Sequence, residues 1–504
     1  MIDLLQNDQE QVPLLPSLLG LQKQNFQENQ QDTTWPPKIA SLLSSLNNDQ
    51  RLVLRHVSSW NQERGKSPVC LVHGPFGTGK SQLLVSALHL LLSLRGQDRA
   101  GSAGGKLHGA RVLVCSHTNI AVDRVLLGLM ESGITSFLRV GPLRRIHHQL
   151  LPFSLHASDS KVHASAVSEL KDMAKSATGE RLRELQREIE QAEKGSERQR
   201  KKMLRTTPII GVTCISTALS VLEDQFFDVL ILDEASQMTE PLSLAPIIRS
   251  KCKYIIAAGD PCQLPPVVCS PERVQGGGEG LMRPLFVRLA SLGYSPYLLK
   301  TQYRCHPDIS HISNTFFYGN KLLNGVSSDD RPPLAKKLGA LSVIDVQGHE
   351  SYKNKSILNE TEARCVGVTV KALVQHGISG SDIGVICFYR EHVGAISRCI
   401  NGLRSAGGEE LAGLESIQVA TVDSFQGAER NIIILSTATT NSASNFAADA
   451  CRLNVALTRA RSHLLVIGNM YALIKGIPAF HYIVSQSKIN GSYYMGGLPI
   501  ACLQ

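Results

Sequence analysis

Two α/β units, each a parallel sheet wrapped by helices, are what this 504-residue chain predicts. Short apolar runs alternate with helix-forming stretches, the alternation occurs twice, and a polar helical insertion interrupts the first series. The first series is Val69–Val72, Arg111–Cys115, Ile209–Val212, Val229–Leu232 and Tyr254–Ala258. The second is Leu341–Val346, Ile383–Phe388, Ile417–Thr421, Ile432–Ser436 and Leu464–Ile467. Parallel strands covered by helices on both faces read as continuous apolar runs. Strands that alternate with helices give βαβ units.

The elements follow in order. Residues 1–45 are rich in Gln, Asn and Pro and predict a loose N-terminal tail. Residues 46–295 form the first domain. Within it, residues about 160–205 are polar and almost free of β-branched side chains. Val167, Leu170 and Ala174 are spaced 3 and 4; after "SATGE", Leu182, Leu185, Ile189 and Ala192 are spaced 3, 4 and 3. A narrow apolar seam on each of two helices predicts an antiparallel helical hairpin. The domain boundary falls near Gly293 to Leu299. The second domain covers 296–475, and 476–504 reads as a C-terminal tail.

Hydrophobic residues make up 43% of the chain, enough for real cores. No run approaches the roughly 18 apolar residues of a membrane helix. The N-terminus is acidic and glutamine-rich, without the basic-then-apolar pattern of a secretory leader. These features predict a chain with no membrane partner, in the nucleus or alternatively the cytoplasm. The twelve cysteines form no C-x-x-C pair, so reduced, mostly buried thiols are expected and no zinc site. The net charge of +9 is consistent with a polyanionic partner but does not establish one.

"LVHGPFGTGKSQLL" carries the first chemistry. Gly74-x-x-x-x-Gly79-Lys80-Ser81 stands between an apolar strand and a helix-forming run. Glycines let backbone N–H groups converge on an anion, and the following helix adds its positive end. Gly74, Gly77, Thr78 and Gly79 shape this loop; Lys80 can reach terminal phosphates, and the Ser81 hydroxyl can hold Mg²⁺. The plainer alternative is a tight strand-to-helix turn. In "VLILDEASQ" two carboxylates end an apolar strand, the end at which open α/β sheets hold ligands. Asp233 suits a Mg²⁺ shell, and Glu234 can orient or deprotonate a water for ATP hydrolysis. In "AAGDPCQLPPV", Gln263 is a neutral group able to sense a γ-phosphate, or part of a mere loop. Arg304 in "TQYRCHP" and Arg459 and Arg461 in "RLNVALTRAR" can neutralise transition-state charge; the alternative is surface ion pairing.

The ordered set "LNNDQ", "GPFGTGKS", "SHTNIAVD", "LDEASQ", "GDPCQLPP", "QYRCHP", "VDSFQGAE" and "NVALTRAR" resembles the superfamily 1B helicases of the nonsense-mediated-decay type, over about Leu46 to Asn469. Within that group "NIAVDRVLLGL", "LPFSLHAS", "GVTCIS" and "KTQYRCHP" look closest to the 5′→3′ DNA helicase type that carries a GRF zinc finger. The resemblance implies two RecA-like domains, 1A and 2A, with ATP and Mg²⁺ bound and a single strand across their top. It assigns the adenine edge to Gln50 and the adenine ring to Tyr303. Lys80 and Ser81 take phosphate and metal, Asp233 the metal, and Glu234 the role of base. Gln263, Arg304 and Arg459 face the γ-phosphate, and Glu429 the ribose. Thr118, Asn119 and residues near Ser424 would touch the nucleic-acid backbone. The sequence departs from the group before Leu46, where the decay helicase has a barrel domain on a stalk, and in having no zinc finger; a shorter paralogue or a fragment is expected.

The reading is an ATP-dependent 5′→3′ helicase on single-stranded nucleic acid, DNA favoured, acting in repair or recombination as a monomer, with DNA-repair proteins as candidate partners. The alternatives are an RNA helicase and an ATP-gated clamp with little unwinding. The insertion ends in Arg198, Arg200, Lys201, Lys202 and Arg205. This run reads as a strand-binding arm, a solvated helix face or a nuclear import signal.

Overall fold

A computed structural model describes residues 12–20, 43–61, 67–95, 107, 109–157, 170, 173–175, 179–268, 280–335, 337–406, 409–425, 427–440 and 448–503. The chain divides into two compact units. The first comprises Met1–Gly74, Gly79–Pro261 and Pro265–Leu299; the second comprises Pro75–Thr78, Cys262–Leu264 and Lys300–Gln504.

The first unit is built on a seven-stranded sheet: β1 (Val69–His73), β2 (Val112–Ser116), β3 (Phe137–Arg139), β4 (Ile209–Thr213), β5 (Val229–Leu232), β6 (Tyr254–Gly259) and β7 (Tyr297–Leu298). Their order is β3-β4-β2-β5-β6-β1-β7, and every pairing is parallel. All five predicted strands are present; β3 and β7 are too short to show as apolar runs. Side chains alternate between two covered faces, as a doubly wound sheet requires. Cys70 and Val72 pack with helices α1 (Asn48–Ser59), α2 (Lys80–Arg95) and α3 (Asn119–Glu131), through Val53, Leu84, Leu88 and Leu126. Val69 and Leu71 pack on the other face with Ile247, Phe286, Leu289 and Tyr294.

Three expectations change here. Residues 1–45 are not all a loose tail: Val12, Leu14, Leu15 and Leu18 are buried in that second face. The Tyr294 hydroxyl donates to the Ser17 carbonyl at 3.1 Å, and Arg288 to that of Leu18 at 2.8 Å. Four apolar side chains outweigh the polar average of the segment. The boundary at 295/296 also moves, because Tyr297 and Leu298 pair with Val72 and His73; the unit ends at Leu299. In the insertion, Gly179–Thr206 is one helix, α4. Most of the predicted first arm, with Val167, lies outside the described residues. Leu204 is buried with the first unit's core, and the Arg111 guanidinium donates to its carbonyl. The arm therefore stops short of residue 205.

The second unit opens with a short parallel pair, β8 (Thr301–Gln302) and β9 (Leu323–Asn324). Its main sheet holds β10 (Leu341–Asp345), β13 (Ile383–Cys387), β14 (Gln418–Thr421), β15 (Arg430–Ser436), β16 (Ala460–Gly468) and β17 (Tyr493–Met495). The order is β14-β13-β15-β16-β10-β17, parallel throughout. An antiparallel hairpin, β11 (Ser351–Lys353) and β12 (Ser356–Leu358), follows β10. Helix α5 (Arg390–Ala406) follows β13. Residues 476–504 are not a tail: α6 (Pro478–Ile489) buries Phe480, Ile483 and Val484, and β17 pairs with β10 through Val343 and Tyr493. Their i, i+3, i+4 spacing marks an apolar helix face.

No disulfide links the described cysteines, most of which are buried. Among the described residues no helix is long and apolar enough to cross a membrane.

Candidate active site and nucleic-acid interface

In the first unit, β1 ends at His73 and the Gly74 N–H donates to the Gly259 carbonyl at 3.0 Å, which fastens the loop to β6. Gly77 (φ 63°) and Gly79 (φ 77°) are left-handed, the region that favours glycine. Space is equally decisive: a Cβ on Gly74 would lie 2.2 Å from Lys80 Cγ, and one on Gly79 2.8 Å from Gln50 Nε2. Lys80 opens α2 and folds back, its Nζ donating to the Gly74 carbonyl at 2.6 Å. The Thr78 hydroxyl donates to the Pro75 carbonyl at 2.8 Å and tightens the turn. Ser81 follows at the helix N-terminus, where unpaired N–H groups favour an anion. Gln50 closes a capping box with Asn47: its Oε1 accepts from the Asn47 N–H at 3.1 Å, which turns Nε2 toward Gly79.

Asp233 stands at the end of β5 with 2% of its surface exposed. Burial and neighbouring Glu234 push its carboxyl up to about 7, against the opposing pull of Lys80. The Glu234 N–H donates to Asp233 Oδ1 at 2.9 Å. Glu234 itself has φ 55°, a costly conformation for a side chain of its size. Gln237 Nε2 donates to its Oε2 at 3.0 Å, so the carboxylate is held in one direction. Two further residues of this edge escaped the sequence reading. His73 Nε2 and Asp260 Oδ1 lie 3.1 Å apart at the ends of β1 and β6. The signal was present, since Asp260 ends an apolar strand just as Asp233 does.

In the second unit, buried Arg459 donates from Nη2 to Gln263 Oε1 at 3.1 Å and from Nε to the Val455 carbonyl at 3.0 Å. Arg304 pairs with Glu429 and donates to the Thr458 carbonyl at 3.1 Å. Arg461 Nε donates to Glu429 Oε1 at 2.9 Å. Burial would raise the Glu429 carboxyl, but Arg304 and Arg461 outweigh it and hold it at about 2. The residue assigned to ribose by resemblance is thus gripped by two guanidinium groups. Tyr303 is 40% exposed, and its ring lies so close to Gly325 that a Cβ there would meet Cε1 at 2.2 Å. Arg331, which no motif marked, donates to the carbonyls of Tyr303 and Arg304 at 2.5 and 2.7 Å and fixes the backbone of both.

The strand-contact candidates are placed by turns. Thr118 Oγ1 accepts from the Ala121 N–H at 3.3 Å and caps α3. Asn119 Oδ1 accepts from Arg139 Nη2 at 2.8 Å, while Arg139 Nε donates to Asp123 at 2.6 Å. Fully buried Arg139 therefore pins the start of α3. Ser424 is exposed in the turn after β14, its hydroxyl 3.0 Å from that of Thr421. Beside α3 the first unit has a cavity of about 880 Å³, lined by Ser81, Gln82, Arg124, Arg144, Arg145 and His147 among others. Its arginines carry no motif spacing and were not legible in sequence.

Fold and site together define a class: RecA-like α/β units, with a phosphate loop after β1 and an Asp-Glu pair at the end of β5, which β6 separates from β1 in the same sheet. Comparison narrows it. Family models described as AAA domain match residues 45–182 with 161–271, and residues 281–471. The chain is 38% identical over 447 residues to mouse 5′-3′ DNA helicase ZGRF1, covering 85% of this chain and 23% of that protein. It is 30% identical over 451 residues to the Regulator of nonsense transcripts 1 homolog of Drosophila melanogaster, covering 87% and 36%. It is 29% identical over 473 residues to ATP-dependent helicase upf1 of Schizosaccharomyces pombe, covering 89% and 48%. The chain thus spans between 23% and 48% of the length of these relatives. It belongs to the superfamily 1B helicases.

Proposed function

We propose that this chain is the motor of an ATP-dependent helicase that moves 5′→3′ on single-stranded nucleic acid, DNA favoured over RNA. The observation that carries it is the pair Asp233–Glu234, with Glu234 held left-handed and oriented by Gln237, on the sheet edge that also carries the phosphate loop. DNA is favoured because the relative named a 5′-3′ DNA helicase is 38% identical, against 29–30% for those named for nonsense transcripts or upf1. An RNA substrate is the second reading, supported by those names. A monomer in the nucleus, serving repair or recombination alongside DNA-repair proteins, completes the proposal.

Asp233 and Ser81 offer the hard oxygen donors that suit Mg²⁺, and a buried carboxyl raised to about 7 is short of positive charge, so the residues fit the ion. Bound there, Mg²⁺ would neutralise phosphate charge. The rest is done by the chain. Lys80 exchanges the Gly74 carbonyl for a phosphate oxygen. Glu234 accepts a hydrogen bond from the attacking water and draws off its proton, and Gln237 keeps that carboxylate aimed. Arg459 and Arg304 offset charge that develops on the γ-phosphate, and Gln263 senses that group. Gln50 and Tyr303 hold the adenine.

Strand displacement on matched DNA and RNA duplexes with 5′ or 3′ tails tests the proposal. Unwinding of the 5′-tailed DNA duplex with hydrolysable ATP is expected. Binding without unwinding would make the chain an ATP-gated clamp; preference for the RNA duplex would establish the second reading.

A further inference from the structure

We propose that the β11–β12 hairpin of the second unit is a single-strand contact element in which Tyr352 stacks on a base and Lys353 and Lys355 meet phosphates; this rests on the strand-binding reading above. The hairpin leaves the carboxyl edge of the second sheet after β10. Its turn residues, Asn354 (φ 50°) and Lys355 (φ 61°), are both left-handed, the two-residue turn that matches strand twist. A lysine in that conformation carries a cost that glycine would not.

The hairpin is fastened along the sheet edge. Glu350 accepts from the Thr440 N–H at 2.7 Å, beyond the end of β15. Asn354 Nδ2 donates to Glu391 Oε1 at 3.0 Å, and the Glu391 N–H donates to Ser356 Oγ at 3.3 Å, both in the first turn of α5. That helix follows β13 and packs against both β12 and β14. The hairpin and the strand that leads to Ser424 therefore pack against the same helix. The hairpin and the Ser424 turn thus flank the same helix on one edge of one sheet.

What the hairpin presents there is an aromatic ring between lysines. Tyr352 is 71% exposed, although it stands opposite buried Ile357, and its hydroxyl donates to Glu350 Oε1 at 3.0 Å. Lys353 and Lys355 are exposed. Glu350 is turned onto Thr440 and the Tyr352 hydroxyl, and Glu391 of α5 meets Asn354 at the tip, beside the two exposed lysines. An exposed aromatic with adjacent cations is the combination that binds single strands without sequence preference, by stacking and phosphate contact.

The test uses the full chain and a fluorescein-labelled oligo-dT, with anisotropy read across a salt series and ATPase measured without the strand. Tyr352→Ala should weaken binding about five- to a hundredfold, the range of a lost base stack, with an unchanged salt slope. Tyr352→Phe should bind as wild type. Lys353→Ala with Lys355→Ala should lower the salt slope by about 1.4, two single-strand phosphate contacts. Basal ATPase should not change in any of them. Tyr352→Ala within twofold of wild type, or an equal loss in Tyr352→Phe, overturns the hairpin's role, as does an unaltered slope in the lysine variant. If Asn119→Ala lowers affinity while the hairpin variants do not, the hairpin proposal fails alone. A wild type that does not bind the oligonucleotide overturns both proposals.

Discussion

The carboxyl edge of the first sheet and the amino edge of the second differ in charge. On the first, Asp233 is buried, no arginine among the described residues hydrogen-bonds it, and its carboxyl is raised to about 7. On the second, Glu429 is partly buried, but Arg304 and Arg461 hold it at about 2. The first edge is short of positive charge and carries the glycine loop with Lys80. The second has guanidinium groups in surplus, one of them, Arg459, lying on neutral Gln263. Two similarly built sheets therefore use opposite strand ends: the carboxyl end of the first suits phosphate and metal, and the amino end of the second carries cations.

Lys80→Ala should break the contrast most sharply, removing the first edge's cation and abolishing ATP hydrolysis in a phosphate-release assay while leaving the circular dichroism spectrum of the fold intact. Glu234→Gln should nearly abolish turnover yet retain nucleotide binding; turnover near wild type would remove Glu234 from the role of base. Arg459→Ala tests the second edge. It should cost about 10³ in turnover and far less in nucleotide affinity. Equal losses in both would make Arg459 structural and move the test to Arg461.

Stability should separate the two carboxylates by sign. The folded pKa of Glu429 lies below its ordinary value of 4.5, so its contribution is present at neutral pH and is lost as pH falls from about 4.5 through about 2. Glu429→Gln should lower the urea midpoint at pH 7, and the difference from wild type should shrink on acidification. Asp233 is raised from 3.8, so its ionisation opposes folding increasingly as pH climbs from about 3.8 to about 7. Asp233→Asn in EDTA should raise the urea midpoint above pH 7 and leave it unchanged near pH 4. The same sign for both substitutions at pH 8 would refute the contrast.

The smallest effect is expected from the inserted helix. Arg198, Lys201, Lys202 and Arg205 are exposed on α4, with Lys201 already paired to Glu197 at 2.7 Å. Replacing the four with alanine should spare basal ATPase and make the salt dependence of strand binding shallower. An unchanged slope would leave them a solvated helix face.

Much of this was legible in the sequence. Ten apolar runs marked the long strands because a parallel strand covered on both faces has no polar side to obscure its pattern. The loop Gly74–Ser81 and the pair Asp233–Glu234 were legible because contiguous residues carry their chemistry: glycine where φ is positive, carboxylates where an apolar run ends. The two segments misread as tails differ. Val12–Leu18 is short, and the polar composition of residues 1–45 hides its four apolar side chains, whereas the apolar face of Phe480, Ile483 and Val484 stood in the sequence at i, i+3, i+4 spacing.

What the sequence by itself determined is the set of strands, the phosphate loop and the identity of the residues at the strand ends. Tertiary structure alone decided which charges meet. Glu429 is far in sequence from Arg304, Arg331 acts on the backbone of Tyr303 and Arg304, Arg139 pins Asn119 and Asp123, and the hairpin at Tyr352 is tied to the start of α5. The physical reason is range. Backbone preference and burial are written in neighbouring residues, whereas a carboxyl's pKa depends on the burial and charges around it, which the chain brings together only on folding.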